Sequence, residues 1–312
     1  MIICKVLNNN LMKIAITGGS GFIGTNLASL LSKNHIVKIL DITKNSNNQN
    51  EFFKIDILDL DSLIKYTKNM DVVIHLAASL GVVNTETNPI STLTINSIGT
   101  KNVLEASYLN GVSKIILSSS SEVYGEPDKI PISENDLAKP ITTYGISKLC
   151  SEEYVKAYFR QYNLEYTIFR LFNVYGIFQG KDWVVPEFIN KALNDETIII
   201  HGDGSQVRAF CNVSDITNAF ELALPKNNND IFNIGNPMEP ISIKTLAEKI
   251  ISLSNSKSKI QFIPFSKSFR NRIEIMNRSP NIEKARTKLG YEPKINLDEG
   301  LRISIEHFKK NH

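Results

Sequence analysis

The sequence predicts an α/β fold, a doubly wound parallel sheet with a smaller C-terminal substrate domain. Three observations point there. Short Val- and Ile-rich runs alternate with helical periodicity through the first half of the chain. Those runs lack the polar–apolar alternation of half-exposed strands, which fits burial on both faces. A glycine-rich turn lies directly between the first run and the first helical stretch.

The elements follow in order. Lys13-Ile14-Ala15-Ile16-Thr17 is an apolar run ending in glycines and reads as a buried strand. Phe22, Ile23, Leu27, Leu30 and Leu31 then recur at helical spacing to about Asn34. Ile36 to Leu40 is a second strand, 45–50 a polar loop, and Phe52 to Ile55 a third strand. Asp59 caps a helix to about Tyr66, because Asp is favoured at helix N-termini. Val72 to Leu76 is a fourth strand, followed by a long helix over Ile90–Leu109. Ile115 to Leu117, a helix over Thr143–Tyr162 and a strand at Tyr166 to Phe169 complete the sheet unit. After Asn173 prolines and the polar stretch 226–230 cut the chain into shorter pieces. The organisation expected is a tail at 1–11 and a dinucleotide-binding domain at 12–173, with returning segments near 207–235. Residues 174–206 and 236–312 form the substrate-binding domain.

Composition excludes several function classes. The 312 residues are 42% hydrophobic and 21% charged, enough apolar content for a sizeable core. With 35 basic and 32 acidic residues the net charge is +3, which gives no reason to expect a nucleic-acid or membrane surface. Cys4, Cys150 and Cys211 are distant and odd in number, which points to a reducing cytoplasm rather than a disulfide framework. No apolar run approaches the ~20 residues of a membrane span, and no carboxylate or His cluster supports a metal site. His75 reads as a strand-end packing residue.

Thr17-Gly18-Gly19-Ser20-Gly21-Phe22-Ile23-Gly24 carries the first chemistry. Between a strand and a helix, glycines let the backbone approach a pyrophosphate, and the helix N-terminus offers free N–H groups. This is the Rossmann arrangement, with Gly18, Gly21, Phe22, Ile23 and Gly24 as cofactor contacts. Asp41 ends the second strand roughly ~20 residues later, where a carboxylate accepts the adenosine ribose hydroxyls and repels a 2′-phosphate. NAD is therefore favoured over NADP; the other reading of Asp41 is a solvated acid after a strand.

Tyr144-Gly145-Ile146-Ser147-Lys148 places a phenol and an ammonium one helical turn apart. The cation should lower the tyrosine pKa, so that Tyr144 can take a hydroxyl proton while hydride leaves the same carbon. Alone the spacing also fits a surface pair. Its position after the serine run 118–121, at the carboxyl end of a strand, favours the catalytic reading.

Together these motifs resemble an extended short-chain dehydrogenase/reductase of the NAD-dependent epimerase/dehydratase family, which acts on nucleotide sugars. The resemblance runs from about Lys13 to Leu301. It also includes Asp56-Ile57, His75-Leu76-Ala77-Ala78, Asn96 with Gly99-Thr100, Ser118 to Gly125, Arg170-Leu171-Phe172-Asn173, Gly202-Asp203-Gly204, Arg208-Ala209-Phe210 and Leu289-Gly290-Tyr291-Glu292-Pro293. It implies that Ser120 binds the reacting hydroxyl and that Lys148 holds the nicotinamide ribose. Asp56 and Ile57 would meet adenine, and Leu76, Ala77, Ala78, Asn96 and Ser118 would line the cofactor groove. Ser121, Asn173 and Arg208 would contact the substrate, the last two at its diphosphate, with Arg272 or Arg278 adding a second phosphate contact. Arg208 also reads as a surface ion pair, and Asn173 as a turn cap.

The resemblance implies oxidation of the sugar at C4, and 4-epimerisation needs no group beyond Ser120, Tyr144 and Lys148. The alternative is a 4-dehydrogenase, 4,6-dehydratase or decarboxylase using Glu122, which faces either the sugar or the backbone. Ser121 stands where one dehydratase class carries an aspartate, which counts against that mechanism. A catalytically silent NAD-binding module is the reading from another class. Tyr175-Gly176-Ile177-Phe178-Gln179 lacks the Pro and Arg usual in the family, and Phe178 or Trp183 either stacks on the ligand or packs internally. The resemblance also suggests a homodimer through the helices Ile90–Leu109 and Thr143–Tyr162.

Overall fold

The computed structural model describes residues 11–265 and 275–310. Of the expected tail only Leu11 falls among them. In chain order the first half contains β1 (Lys13–Thr17), α1 (Phe22–Leu31), β2 (Ile36–Asp41), β3 (Glu51–Lys54), α2 (Leu60–Thr67) and β4 (Val72–His75). It continues with α3 (Val82–Thr87), α4 (Pro89–Leu93), α5 (Gly99–Leu109), β5 (Lys114–Ser120), α6 (Thr143–Tyr162) and β6 (Glu165–Leu171). The second half holds β7 (Val174–Tyr175), α7 (Val184–Leu193), β8 (Ile198–His201), β9 (Val207–Ala209), β10 (Cys211–Asn212), α8 (Val213–Ala223) and β11 (Asp230–Ile234). Then come β12 (Pro240–Ser242), α9 (Ile243–Ser254), β13 (Ile260–Ile263), β14 (Asn277–Arg278), α10 (Glu283–Leu289) and α11 (Leu297–Lys310).

Seven parallel strands form the main sheet in the order β11-β6-β5-β4-β1-β2-β3. Successive side chains point to opposite faces, and both faces are buried. Ile14, Ile16, Val72 and Ile74 pack with Leu27 of α1 and Phe220 of α8. Ala15 and Val73 face the other way, toward Leu63 of α2, Val103 of α5 and Val155 of α6. That double burial is why these strands read as unbroken apolar runs.

Two features of the first half depart from the sequence reading. The long helix is not uniform: Thr94–Ile98 is a π turn between α4 and α5, which turns the buried Asn96 toward β4 and α6. The short helix α3 has no capping side chain and no periodic apolar stripe, so the sequence carried no signal for it.

β11 returns to the outer edge of the large sheet, and α8 packs on α1. β9 instead joins a three-stranded sheet with β12 and β14. A separate core of Val185, Phe188, Ile198, Ile200, Leu246, Leu301 and Ile305 holds this smaller unit together.

Lys114 opens β5 fully buried. Its ammonium donates to the carbonyl of Ala223 at 2.5 Å and to that of Lys226, closing the C-terminus of α8. Burial pushes its pKa down to about 8, against the pull of Glu165. Between about pH 8 and 10 the unfolded lysine still binds a proton that the folded one has lost, so stability rises with pH there. Relative to Lys114→Met, the wild-type chain should gain up to about 3 kcal/mol between pH 7 and pH 10. Urea unfolding at several pH values checks this; parallel curves for the two proteins would refute it.

Candidate active site

The strand order reverses direction between β4 and β1, and the crevice beyond their carboxyl ends is where open α/β sheets bind ligands. The glycine turn fills one lip. Gly18 has φ +70°, and a Cβ there would lie 2.5 Å from the backbone nitrogen of Ala77. A Cβ on Gly24 would come 2.4 Å from the Gly18 carbonyl oxygen. Gly21 precedes α1 with no side chain capping the helix, so first-turn N–H groups remain for an anion. Among the described residues the buried Ser20 hydroxyl has no partner. A backbone cradle that no Cβ can enter, uncapped N–H groups and an orphaned hydroxyl together fit a dinucleotide pyrophosphate. Phe22 and Ile23 are the first residues of α1.

Asp41 ends β2 as expected, but its Oδ2 already accepts the Ser20 N–H at 3.0 Å. The polar loop that follows has a role the sequence did not reveal. Asn45 donates to the Ser20 carbonyl at 3.0 Å and Asn48 to that of Gly19 at 3.3 Å, so the loop braces the glycine turn. The Asp56 carboxylate accepts the Leu58 N–H at 2.9 Å. Ile57 packs on Gly99, where a Cβ would come 2.4 Å from its Cδ1. Leu76 bonds through its N–H to the Thr17 carbonyl, leading into Ala77 and Ala78. The Asn96 amide clasps both backbone groups of Ser79 at 2.7 and 3.0 Å and reaches Ser147 Oγ at 2.9 Å. It therefore fixes the Ala77–Ser79 segment against α6. His75 is buried with Thr17 and Thr100 on its two ring nitrogens, and burial with the nearby Lys148 charge pushes its pKa down to about 3. It is a structural histidine.

The opposite lip is the seat of α6 on β5. Tyr144 stands beside Ser120. The Lys148 ammonium donates to the Ser118 carbonyl at 2.9 Å and lies 5.8 Å from the centre of the Tyr144 ring. Burial lowers Lys148 to about 8, opposed by Glu152. The expectation that the lysine's cation lowers the Tyr144 pKa is corrected here. Burial and the Glu122 charge push the phenol up, and only the Ser120 hydrogen bond pulls it down. A tyrosine on a helix face can be read from spacing; its desolvation cannot.

Glu122 is not bonded through its carboxylate to backbone. Oε2 accepts from the Thr142 hydroxyl at 2.9 Å, and Oε1 pairs with Arg278 at 3.4 Å. Thr142 also caps α6 by accepting the Gly145 N–H at 2.9 Å. Gly145 is required between Tyr144 and Lys148, since a Cβ there would lie 2.6 Å from the Glu122 carbonyl oxygen. Ser121 is buried at the start of a short 3-10 turn.

Arg208 is not at the surface. It is buried on β9, donating to the Val207 and Met276 carbonyls at 2.9 and 3.2 Å. Arg278 of β14 stands beside it in register, and the buried Arg278 Nε has no partner among the described residues. Arg272 lies outside the described residues. Gln206, just before β9, has a buried Oε1 with no partner among the described residues. Asn173 adopts φ +37° where β6 gives way to β7, its amide 3.4 Å from the Ala209 carbonyl. Phe178 packs edge-on against His307 at 4.9 Å with φ +66°, so its ring serves internal packing. Trp183 precedes α7, partly exposed.

Sequence reasoning missed Asn45, Asn48, Thr142, Gln206 and Glu152. Asn45, Asn48 and Glu152 act on groups far away in the chain, and Thr142 adds to its local helix cap a bond to the distant Glu122.

Fold and site together define a dinucleotide-dependent enzyme of the short-chain dehydrogenase/reductase class, with a Tyr–Lys pair at the crevice. The model of the NAD dependent epimerase/dehydratase family matches residues 14–235, and the chain belongs to that family. A provisional UDP-glucose 4-epimerase of Methanocaldococcus jannaschii is 39% identical, covering 96% of this chain and 99% of that protein. A UDP-N-acetyl-alpha-D-glucosaminuronate decarboxylase of Bacillus cytotoxicus is 37% identical over 95% and 97%. The crystal structure of the Thermotoga maritima UDP-glucose 4-epimerase with UDP-glucose superposes with a TM-score of 0.91 at 33% identity, covering 96% and 99%. The cofactor is NAD. No described helix is long and apolar enough to cross a membrane.

Gly18→Ala should weaken NADH binding about 5- to 150-fold, because the strained φ and the blocked approach to Ala77 together cost about 1–3 kcal/mol. Fluorescence titration with NADH measures it. An unchanged dissociation constant would remove the glycine turn from the cofactor site.

Proposed function

We propose that this chain is an NAD-dependent epimerase that inverts C4 of a UDP-linked sugar. The observation that carries the reading is the meeting of Ser120, Tyr144 and Lys148 at the carboxyl end of β5, beside the glycine turn. Ser120 holds the C4 hydroxyl and Tyr144 takes its proton. Bound NAD would supply reversible hydride transfer at C4. Lys148, whose ammonium is anchored on Ser118, holds the nicotinamide ribose and stabilises the phenolate. Tyr144 then returns the proton to the new alcohol. Asp41, Asp56 and Ile57 serve the adenosine end of the cofactor, and Leu76, Ala77, Ala78 and Asn96 shape its groove. Asn173, Arg208 and Arg278 grip the diphosphate, which leaves the keto sugar free to present its other face. The names of the relatives support UDP as the nucleotide.

One observation favours a second reading. Arg278, opposite Glu122, suits a sugar carrying a C6 carboxylate. Oxidation at C4 makes that carboxylate β to a ketone. The C5–C6 bond then breaks, carbon dioxide leaves, and C5 takes a proton. Dehydration is disfavoured because Ser121 supplies no acid for the leaving hydroxyl.

We also propose a homodimer, supported by exposed Ile90, Ile98, Tyr108 and Tyr162 on the helices before and along α5 and α6. The free thiols of Cys150 and Cys211 support a cytoplasmic setting.

Incubation with UDP-glucose, UDP-N-acetylglucosamine and UDP-glucuronic acid, read by mass spectrometry and proton NMR, separates the readings. Epimerisation leaves the mass unchanged and alters the ring-proton couplings; loss of carbon dioxide from the uronate replaces it with the second reading. Tyr144→Phe should lower turnover about 10²–10⁴-fold with NAD affinity retained. Turnover that survives this change removes Tyr144 from acid–base chemistry.

A further inference from the structure

Tyr144, Lys148 and Glu152 follow one another at four-residue steps along α6, so they share one face. Each meets a successive feature of the β5 end. Tyr144 meets the Ser120 hydroxyl, Lys148 the Ser118 carbonyl, and Glu152 the Ser119 hydroxyl at 2.6 Å. Glu152 is fully buried, and Arg170 of β6 grips both its oxygens at 3.0 and 2.7 Å. On the far side the Arg170 guanidinium stacks 4.7 Å from the Tyr124 ring centre, and the Tyr124 hydroxyl donates to Asn233 at 2.7 Å. The ion pair is thus oriented. Its negative end lies on α6, one turn from the lysine, and its positive end is drawn toward β6.

Two isolated charges would not be stable at this depth, and a hydrophobic pair would be as stable or more so. The polarity of the pair is what a hydrophobic replacement would lose. We propose that Glu152 is a positioning residue for catalysis: it locks the register of α6 on β5 and presents a buried negative charge that holds Lys148 as the ammonium. The groups facing Lys148 bear this out. His75 on β4 is neutral and bonded to two threonines, Asn96 of the π turn is uncharged, β5 offers a carbonyl, and Tyr144 and Glu152 complete its own helix. Glu122 faces Tyr144 and is paired with Arg278. Glu152 is the carboxylate acting on the lysine, and its pull opposes the effect of burial.

The inference rests on the epimerase reading for its kinetic arm only. Glu152→Gln should move the whole kcat/KM–pH profile about one unit toward acid, since losing the negative charge eases deprotonation of both lysine and phenol. Substrate KM should change little, and Arg170→Lys, which keeps the pairing, should retain the wild-type profile. A lowered melting temperature with an unmoved profile would reduce Glu152 to a structural role and overturn the proposal. If Glu152→Gln fails to fold, the double variant Glu152→Gln/Arg170→Met removes both charges and is read the same way. Should the wild type turn over no nucleotide sugar, the functional reading falls, and the NADH dissociation constant against pH decides about Glu152. Affinity lost at lower pH in the variant supports the charge; the same pH dependence in both proteins refutes it.

Discussion

The site depends on how one helix is seated on one strand. Ser118, Ser119 and Ser120 offer a carbonyl and two hydroxyls in succession, and α6 answers with Lys148, Glu152 and Tyr144. A shift of one residue along either element would separate these groups, because each side chain of α6 meets a different group of β5. Thr142 fixes where the helix begins, and its hydroxyl ties that start to Glu122. The remaining residues of the crevice are arranged around this seat.

Its cost is the burial of charge. Lys148, Glu152 and Arg170 are all withdrawn from water. The cost is offset only because each has a partner with good geometry, the carboxylate accepting from a hydroxyl and from both ends of a guanidinium fork. The same desolvation lifts the Tyr144 phenol, so its reactivity is governed by the charges set around it. An active site with perturbed groups in a low-dielectric crevice is where acid–base chemistry near neutral pH becomes feasible.

The cofactor lip follows a different logic, of space rather than charge. Gly18 and Gly24 let two backbone segments approach where no side chain fits. Asp41, Asn45 and Asn48 hold the turn from behind. The orphaned polar atoms of Ser20, Gln206 and Arg278 lie on the glycine turn and on the sheet that carries the arginines. Buried polar groups are rarely left unpaired without a reason, and under the proposed function ligand groups would supply one.

The sequence by itself determined the fold class, the order of elements and the Tyr144–Lys148 pair. Strand burial leaves a period in the chain, a glycine turn leaves a composition, and two residues on one helix face are separated by a fixed step. Helix α6 was legible to the residue for that reason. What only the tertiary structure decided was the company each residue keeps. Glu122 met Arg278 across 156 positions, Glu152 met Ser119 and Arg170, and Tyr144 was lifted rather than lowered by its surroundings. Desolvation and long-range pairing depend on which segments the sheet order brings together, and no local spacing records that.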